Sequence, residues 1–177
     1  MALSHACRLL GALVALAGLA LPARAQIDER QVKAAYVYNF IQFTQWPHAL
    51  EEPLVLCVLG RSDIDTELRT LQGRVVLNGL RVQVRHLAPL DDFSPCQVLY
   101  LDESQRSQWF DVQRRLRGMA VLTVTDADGL ADRGAMIEIG RREQRLTFEV
   151  NLPAARTAGL MFSARMLKLA SYVNLGR

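Results

Sequence analysis

Three short runs of this chain are apolar almost without a break: LVLCVL at 54–59, QVLYL at 97–101 and AVLTVT at 120–125. A strand with one wet face alternates apolar and polar residues, whereas a strand covered on both faces reads as a continuous apolar run. These runs predict central strands of a sheet that is covered by helices on both sides.

Helix and hairpin signals alternate around them. Asp28 is a candidate helix cap, with Gln31 three residues on closing a capping box. The segment ERQVKAAYVYNFIQFTQW then predicts a helix up to Trp46, stopped by Pro47. Val32, Tyr36, Phe40 and Phe43 form one apolar stripe, and Val37, Tyr38 and Ile41 make a second face apolar. Such a helix is either buried on two sides or keeps one side for a partner. Asp63 and Gly73 bracket a short helix, and Ser104 to Arg117 predicts another, closed by Gly118. Asn78-Gly79 lies between two β-branched runs, a hairpin signal because both residues tolerate positive φ. Residues 135–140 and 145–150 predict a second hairpin. No internal repeat, low-complexity run or linker interrupts the pattern. The expectation is an α/β fold: a single three-layer domain with a mixed β-sheet flanked by helices and a C-terminal helix.

The first residues have a different character. Arg8 precedes an apolar run from Leu9 to Leu21, and Ala23-Arg24-Ala25 supplies the small-x-small pattern of a cleavage site. The run is too short to span a bilayer of about 30 Å. The expectation is a signal peptide over 1–25, cleavage after Ala25, and a periplasmic domain over 26–177. Cys7 leaves with the leader. Removing the leader takes away two arginines and no acids, which leaves 19 basic against 18 acidic residues, a balance of +1. A nucleic-acid-binding domain shows a basic excess that is absent here.

Two cysteines remain, Cys57 within the first buried run and Cys96 just before the second. An even pair in an oxidising compartment is first a disulfide candidate. Two separate buried thiols, or a redox switch, are the other readings. Two histidines, His48 and His86, without CxxC or HxxxH spacing make no zinc site. Gly60 is a lone glycine rather than a GxGxxG loop, and no GxSxG elbow occurs. The pairs Asp63/Asp65, Asp91/Asp92 and Asp126/Asp128 are explained by caps and turns. No catalytic residue, metal or cofactor is therefore expected.

The C-terminal segment has the most pattern and the least chemistry. Asn151 precedes Leu152-Pro153, an N-cap with proline in the first turn, and Gly159 ends that short helix. From Leu160 the pattern predicts a second helix. Phe162, Met166, Leu169, Ala170 and Val173 lie on one face, with Met161, Arg165, Lys168 and Tyr172 on the other. Glu149 alternates with Phe148 and Val150, so it points to the opposite face of its strand. There it either meets solvent or pairs with Arg165 or Arg156.

The segments VKAAYVYNFIQFTQWP, GMAVLTVTD, GAMIEI and above all RLTFEVNLPAARTAGLMFSARMLKLA resemble the YfiR-like proteins, over roughly residues 28 to 174. The resemblance implies a homodimeric periplasmic repressor that binds the sensor domain of an inner-membrane diguanylate cyclase. Its cytoplasmic GGDEF domain is thereby held inactive, which lowers cyclic di-GMP and biofilm formation. It also implies that an OmpA-like outer-membrane lipoprotein can sequester the repressor, that Cys57 and Cys96 pair, and that Glu149 occupies a position tied to repression. Some relatives carry a second cysteine pair where this chain has Ala131 and Glu138.

Candidate partner contacts are thus Tyr36, Phe40, Phe43 and Trp46 on the first helix, together with Glu149, Asn151, Arg165 and Lys168. A small-molecule-binding module, with a pocket near Trp46 signalling to a membrane partner, is the alternative. An exported hydrolase is a more distant rival that lacks a credible triad.

Overall fold

The computed structural model describes residues 28–60 and 63–176. The expected signal peptide and its cleavage site lie outside the described residues.

The three apolar runs become neighbouring parallel strands. They are β2 (Leu54–Leu59), β5 (Val98–Leu101) and β6 (Leu122–Thr125), buried at every position. The others are β1 (Thr44–Gln45), β3 (Val75–Val76), β4 (Leu80–Leu87), β7 (Ile137–Arg142), β8 (Arg145–Asn151), β9 (Met161–Phe162) and β10 (Tyr172–Asn174). Among the described residues eight strands form one sheet in the order β10-β8-β7-β6-β5-β2-β4-β3, and β1 pairs separately with β9. Strands β4, β2, β5, β6 and β7 run parallel, while the β3–β4 and β7–β8 hairpins are antiparallel. The mixed α/β sheet expected from the sequence is present.

Each face of the sheet has its own core. On one face α1 (Glu29–Gln42) and α2 (Asp65–Arg69) cover Leu54, Leu56, Val98, Tyr100, Leu122, Ile137, Phe148 and Val150. On the other, α3 (Trp109–Arg115) covers Val55, Leu59, Leu99 and Leu101. That second core holds the Cys57–Cys96 disulfide, with Cα atoms 5.7 Å apart and both residues buried. No helix among the described residues is long and apolar enough to cross a membrane.

Local signals place most element ends. Asp28 caps α1 by accepting from the Arg30 N–H. The Asn78-Gly79 turn closes the β3–β4 hairpin with positive φ at Leu77, Asn78 and Gly79. Asn151 caps α4 (Leu152–Thr157), with proline in its first turn.

Two expectations are corrected. The first helix ends at Gln42, not Trp46. The Thr44 hydroxyl donates to the Phe40 carbonyl at 2.6 Å, and the Phe43 carbonyl accepts from Ser163. These bonds satisfy the helix end, and β1 then pairs with β9. Secondly, the expected C-terminal helix shrinks to one turn, α5 (Ala164–Leu167), which Ser163 caps. The residues after it form β10 on the free edge of β8, with Tyr172, Val173 and Asn174 in register with Glu149, Val150 and Asn151. An open edge offers a row of backbone partners, and that outweighs a helical period in a Tyr-Val-Asn stretch.

Candidate partner-binding surface

Side chains alternate along β7, β8 and β10, so Phe148 and Val150 enter the core while Thr147, Glu149 and Asn151 face the other way. Tyr172 and Asn174 share that second face on β10, as do Glu138, Gly140 and Arg142 on β7. At its outer end this face is open: Arg142 and Tyr172 are exposed, and Gly140, Thr147, Glu149 and Asn174 are half-buried.

Glu149 sits between Glu138 on one side and Tyr172 on the other. The two glutamates are treated very differently. Glu138 is buried, and its two carboxylate oxygens accept from the Gly129 and Ala131 N–H groups at 2.9 and 2.8 Å. The two positions where some relatives are expected to carry cysteines, Ala131 and Glu138, are therefore joined here by a hydrogen bond. The Glu149 carboxylate receives no hydrogen bond and makes no ion pair among the described residues. Burial raises its carboxyl above the usual 4.5, the Glu138 charge raises it further, and Arg142 offsets part of the effect. Like charges directly opposite on a sheet are unfavourable. Neither Arg156 nor Arg165 pairs with Glu149, contrary to one expectation.

Asn151 has a structural role. Its Oδ1 accepts from Ala154 N–H at 3.0 Å and its Nδ2 donates to the Ala131 carbonyl at 2.6 Å. It is 7% exposed, and it ties β8, α4 and the 126–134 turn together. Asn151→Ala removes a cap worth about 1 kcal/mol. It also removes one of two donors to the Ala131 carbonyl, which keeps the Gly134 N–H at 3.1 Å, so the lost bond costs about 0.5–1.5 kcal/mol. We expect the melting temperature to fall by about 4–8 °C; a fall under about 2 °C in a thermal scan would show that water or a neighbour takes over both bonds.

The aromatic residues of the first helix divide. Phe40 is 1% exposed, stacked on Tyr36 and edge-on to Phe148, with centroids 5.8 and 4.9 Å apart. It cannot touch a partner from there, which corrects its place among the contacts. Tyr36 is half-buried, and its hydroxyl donates to the Leu146 carbonyl at 3.2 Å. Phe43 and Trp46 lie beyond the helix and are half-buried. The Trp46 Nε1–H donates to the Ala120 carbonyl at 3.0 Å. Trp46 also lines a cavity of about 400 Å³ with His48, Leu50 and Leu80. Arg165 and Lys168 are exposed near α5 and make no ion pair among the described residues.

Glu138, Arg142 and Tyr172 were not among the candidate contacts drawn from the sequence. For the first two a signal existed. Glu143 and Gln144 both have positive φ in a two-residue hairpin turn, and counting outward from that turn places Glu138 opposite Glu149.

Residues 30–171 match the YfiR/HmsC-like family model. Among solved structures the chain resembles the ABC domain in complex with L-Trp from Streptococcus pneumoniae, with a TM-score of 0.52 and 12% identity. That likeness covers 68% of this chain and 55% of the other, so this chain spans about half the length of the structure it matches. At such identity it speaks for the fold alone. The family match extends from the first helix to the edge of β10, and the chain belongs to the YfiR/HmsC-like family.

Proposed function

We propose that this protein is a periplasmic regulator that binds the periplasmic sensor domain of an inner-membrane GGDEF diguanylate cyclase and represses it. It thereby keeps cyclic di-GMP low and restrains biofilm formation. The same reading has it working as a homodimer that an OmpA-like outer-membrane lipoprotein can draw away.

The observation that carries the reading is Glu149, a half-buried carboxylate without a donor on the open part of the sheet. Its position is costly in the free protein, because burial and Glu138 both oppose its charge. A cationic group of a partner laid against it relieves that cost, so the site rewards one kind of contact. Repression needs no reaction. It needs a preference for the inactive state of the cyclase, about 5.5 kcal/mol to move a population from 1:99 to 99:1.

Glu149→Lys tests this reading. Glu138 lies opposite, so a lysine finds a partner within the fold and folding is retained. Cells producing the variant at the normal level should contain more cyclic di-GMP than cells with the unaltered chain. Unchanged cyclic di-GMP at equal protein level removes Glu149 from the contact surface.

A further inference from the structure

An open cleft of about 600 Å³ lies next to the surface just described and shares Asn151 with it. Its apolar lining comes from Leu116, Met119 and Val121 ahead of β6, Met136 ahead of β7, and Pro153 and Ala154 at the start of α4. Two arginines, Arg117 and Arg133, and Asp132 are also among its lining residues. All three residues are exposed, and none is in an ion pair among the described residues.

The walls are tied in place. The Trp109 Nε1–H and the Gln113 side-chain amide both donate to the Arg133 carbonyl, at 3.0 and 3.1 Å. The Met136 N–H donates to Thr123 Oγ1 at 2.9 Å, and Asn151 holds the Ala131 carbonyl. Gly134, at φ 102°, lets the turn approach α3; a β-carbon there would run into the Gln113 amide. Thr123 and Asn151 are engaged by the backbone, and the two arginines are the cationic residues of the lining.

A cleft of this volume whose lining combines apolar side chains with charged ones can hold a small amphipathic ligand. Guanidinium groups match a carboxylate in shape and charge, and the two methionines adapt to a flexible chain. We propose that this cleft binds a small aliphatic carboxylate. The chain of the ligand lies on Met119, Val121 and Met136, and Arg117 and Arg133 hold its head. The three ionic groups sum to +1, which favours an anion over a neutral molecule of the same shape.

Open α/β sheets usually bind ligands beyond the carboxyl ends of their parallel strands. Beyond β2, however, the protein fills that position itself: a β-carbon on Gly60 would lie 2.9 Å from side-chain carbons of Asp102 and Gln105. The cleft is at the opposite end, where the chain enters β6. The proposal does not depend on the repressor reading, since it concerns binding to the chain alone.

The chain has two tryptophans: Trp109 lines the cleft, and Trp46 lies behind it, bonded to the Ala120 carbonyl between Met119 and Val121. A Trp46→Phe chain therefore reports on the cleft through Trp109 fluorescence. Octanoate titrated into it at pH 7 should give a saturable change with a Kd below about 1 mM. Arg117→Gln combined with Arg133→Gln should weaken binding by about tenfold or more. Acetate, which lacks the chain, and 1-octanol, which lacks the charge, should give no saturable change. Because Trp46→Phe gives up the bond to Ala120, the titration is repeated on the unaltered chain by amide NMR. Shifts should then centre on residues 116–121, 132–136 and 151–158. A flat octanoate titration, equal binding by the double arginine variant, an equal response to 1-octanol, or shifts centred elsewhere would each overturn the proposal.

Discussion

Replacing Cys57 and Cys96 together by alanine should lower the melting temperature by roughly 8–16 °C. The bond spans a sequence separation of 39 residues, and within that step lie the second half of β2 and the whole of α2, β3 and β4. Opening it restores to the unfolded chain the entropy of a loop of that length, about 4 kcal/mol at 25 °C on the chain-entropy estimate. The cysteines are 0% and 3% exposed in a core with Val55, Leu99 and Trp109, so lost packing adds to the entropic effect. A thermal scan of the double variant, compared with the oxidised parent, measures the sum. A shift under about 3 °C would mean that the unfolded chain keeps β2 and the segment before β5 together without the bond.

Phe40→Ala should destabilise the protein by about 3–5 kcal/mol, a large part of the total stability of an ordinary domain. Phe40 is the point where α1 meets β8: its ring packs edge-on to Phe148 and is stacked on Tyr36. Truncation leaves a cavity under Phe148 and removes an aromatic pair contact worth about 0.5–1.5 kcal/mol beyond its area. Phe40→Leu keeps most of the volume and should cost much less. The experiment separates two roles that the sequence left open for this helix. A partner contact would give Phe40→Ala normal denaturant unfolding and defective repression, whereas a core residue shifts the unfolding midpoint first.

The centre of this fold could be read in advance because its strands are covered on both sides, which erases alternation and leaves LVLCVL and its two counterparts as unbroken apolar runs. The disulfide followed from two cysteines in or beside adjacent runs, with the compartment and the family resemblance favouring the bond. The edges were harder. Tyr172–Asn174 is a three-residue strand whose apolar spacing also suits a helix, and only the vacant side of β8 decides between them. Phe43 to Trp46 continues the helical stripe of α1, yet the Thr44 hydroxyl and the pairing of β1 with β9 end the helix early.

Glu149 stood out because it interrupts Phe148 and Val150, but its meaning depends on register. Glu138 lies eleven positions away in the chain and directly opposite in the sheet. The cleft beside Asn151 was not legible at all. Four separate segments line it, and each taken alone has the pattern of an ordinary helix end or turn.

The most direct test of the account is the rate of cyclic di-GMP synthesis by the full-length membrane cyclase of the same genome. The cyclase is reconstituted in vesicles with its periplasmic domain open to added protein. The purified, oxidised chain should lower the rate saturably, and Glu149→Lys at the same concentration should not. A rate unchanged by the folded wild-type chain at every concentration would contradict it.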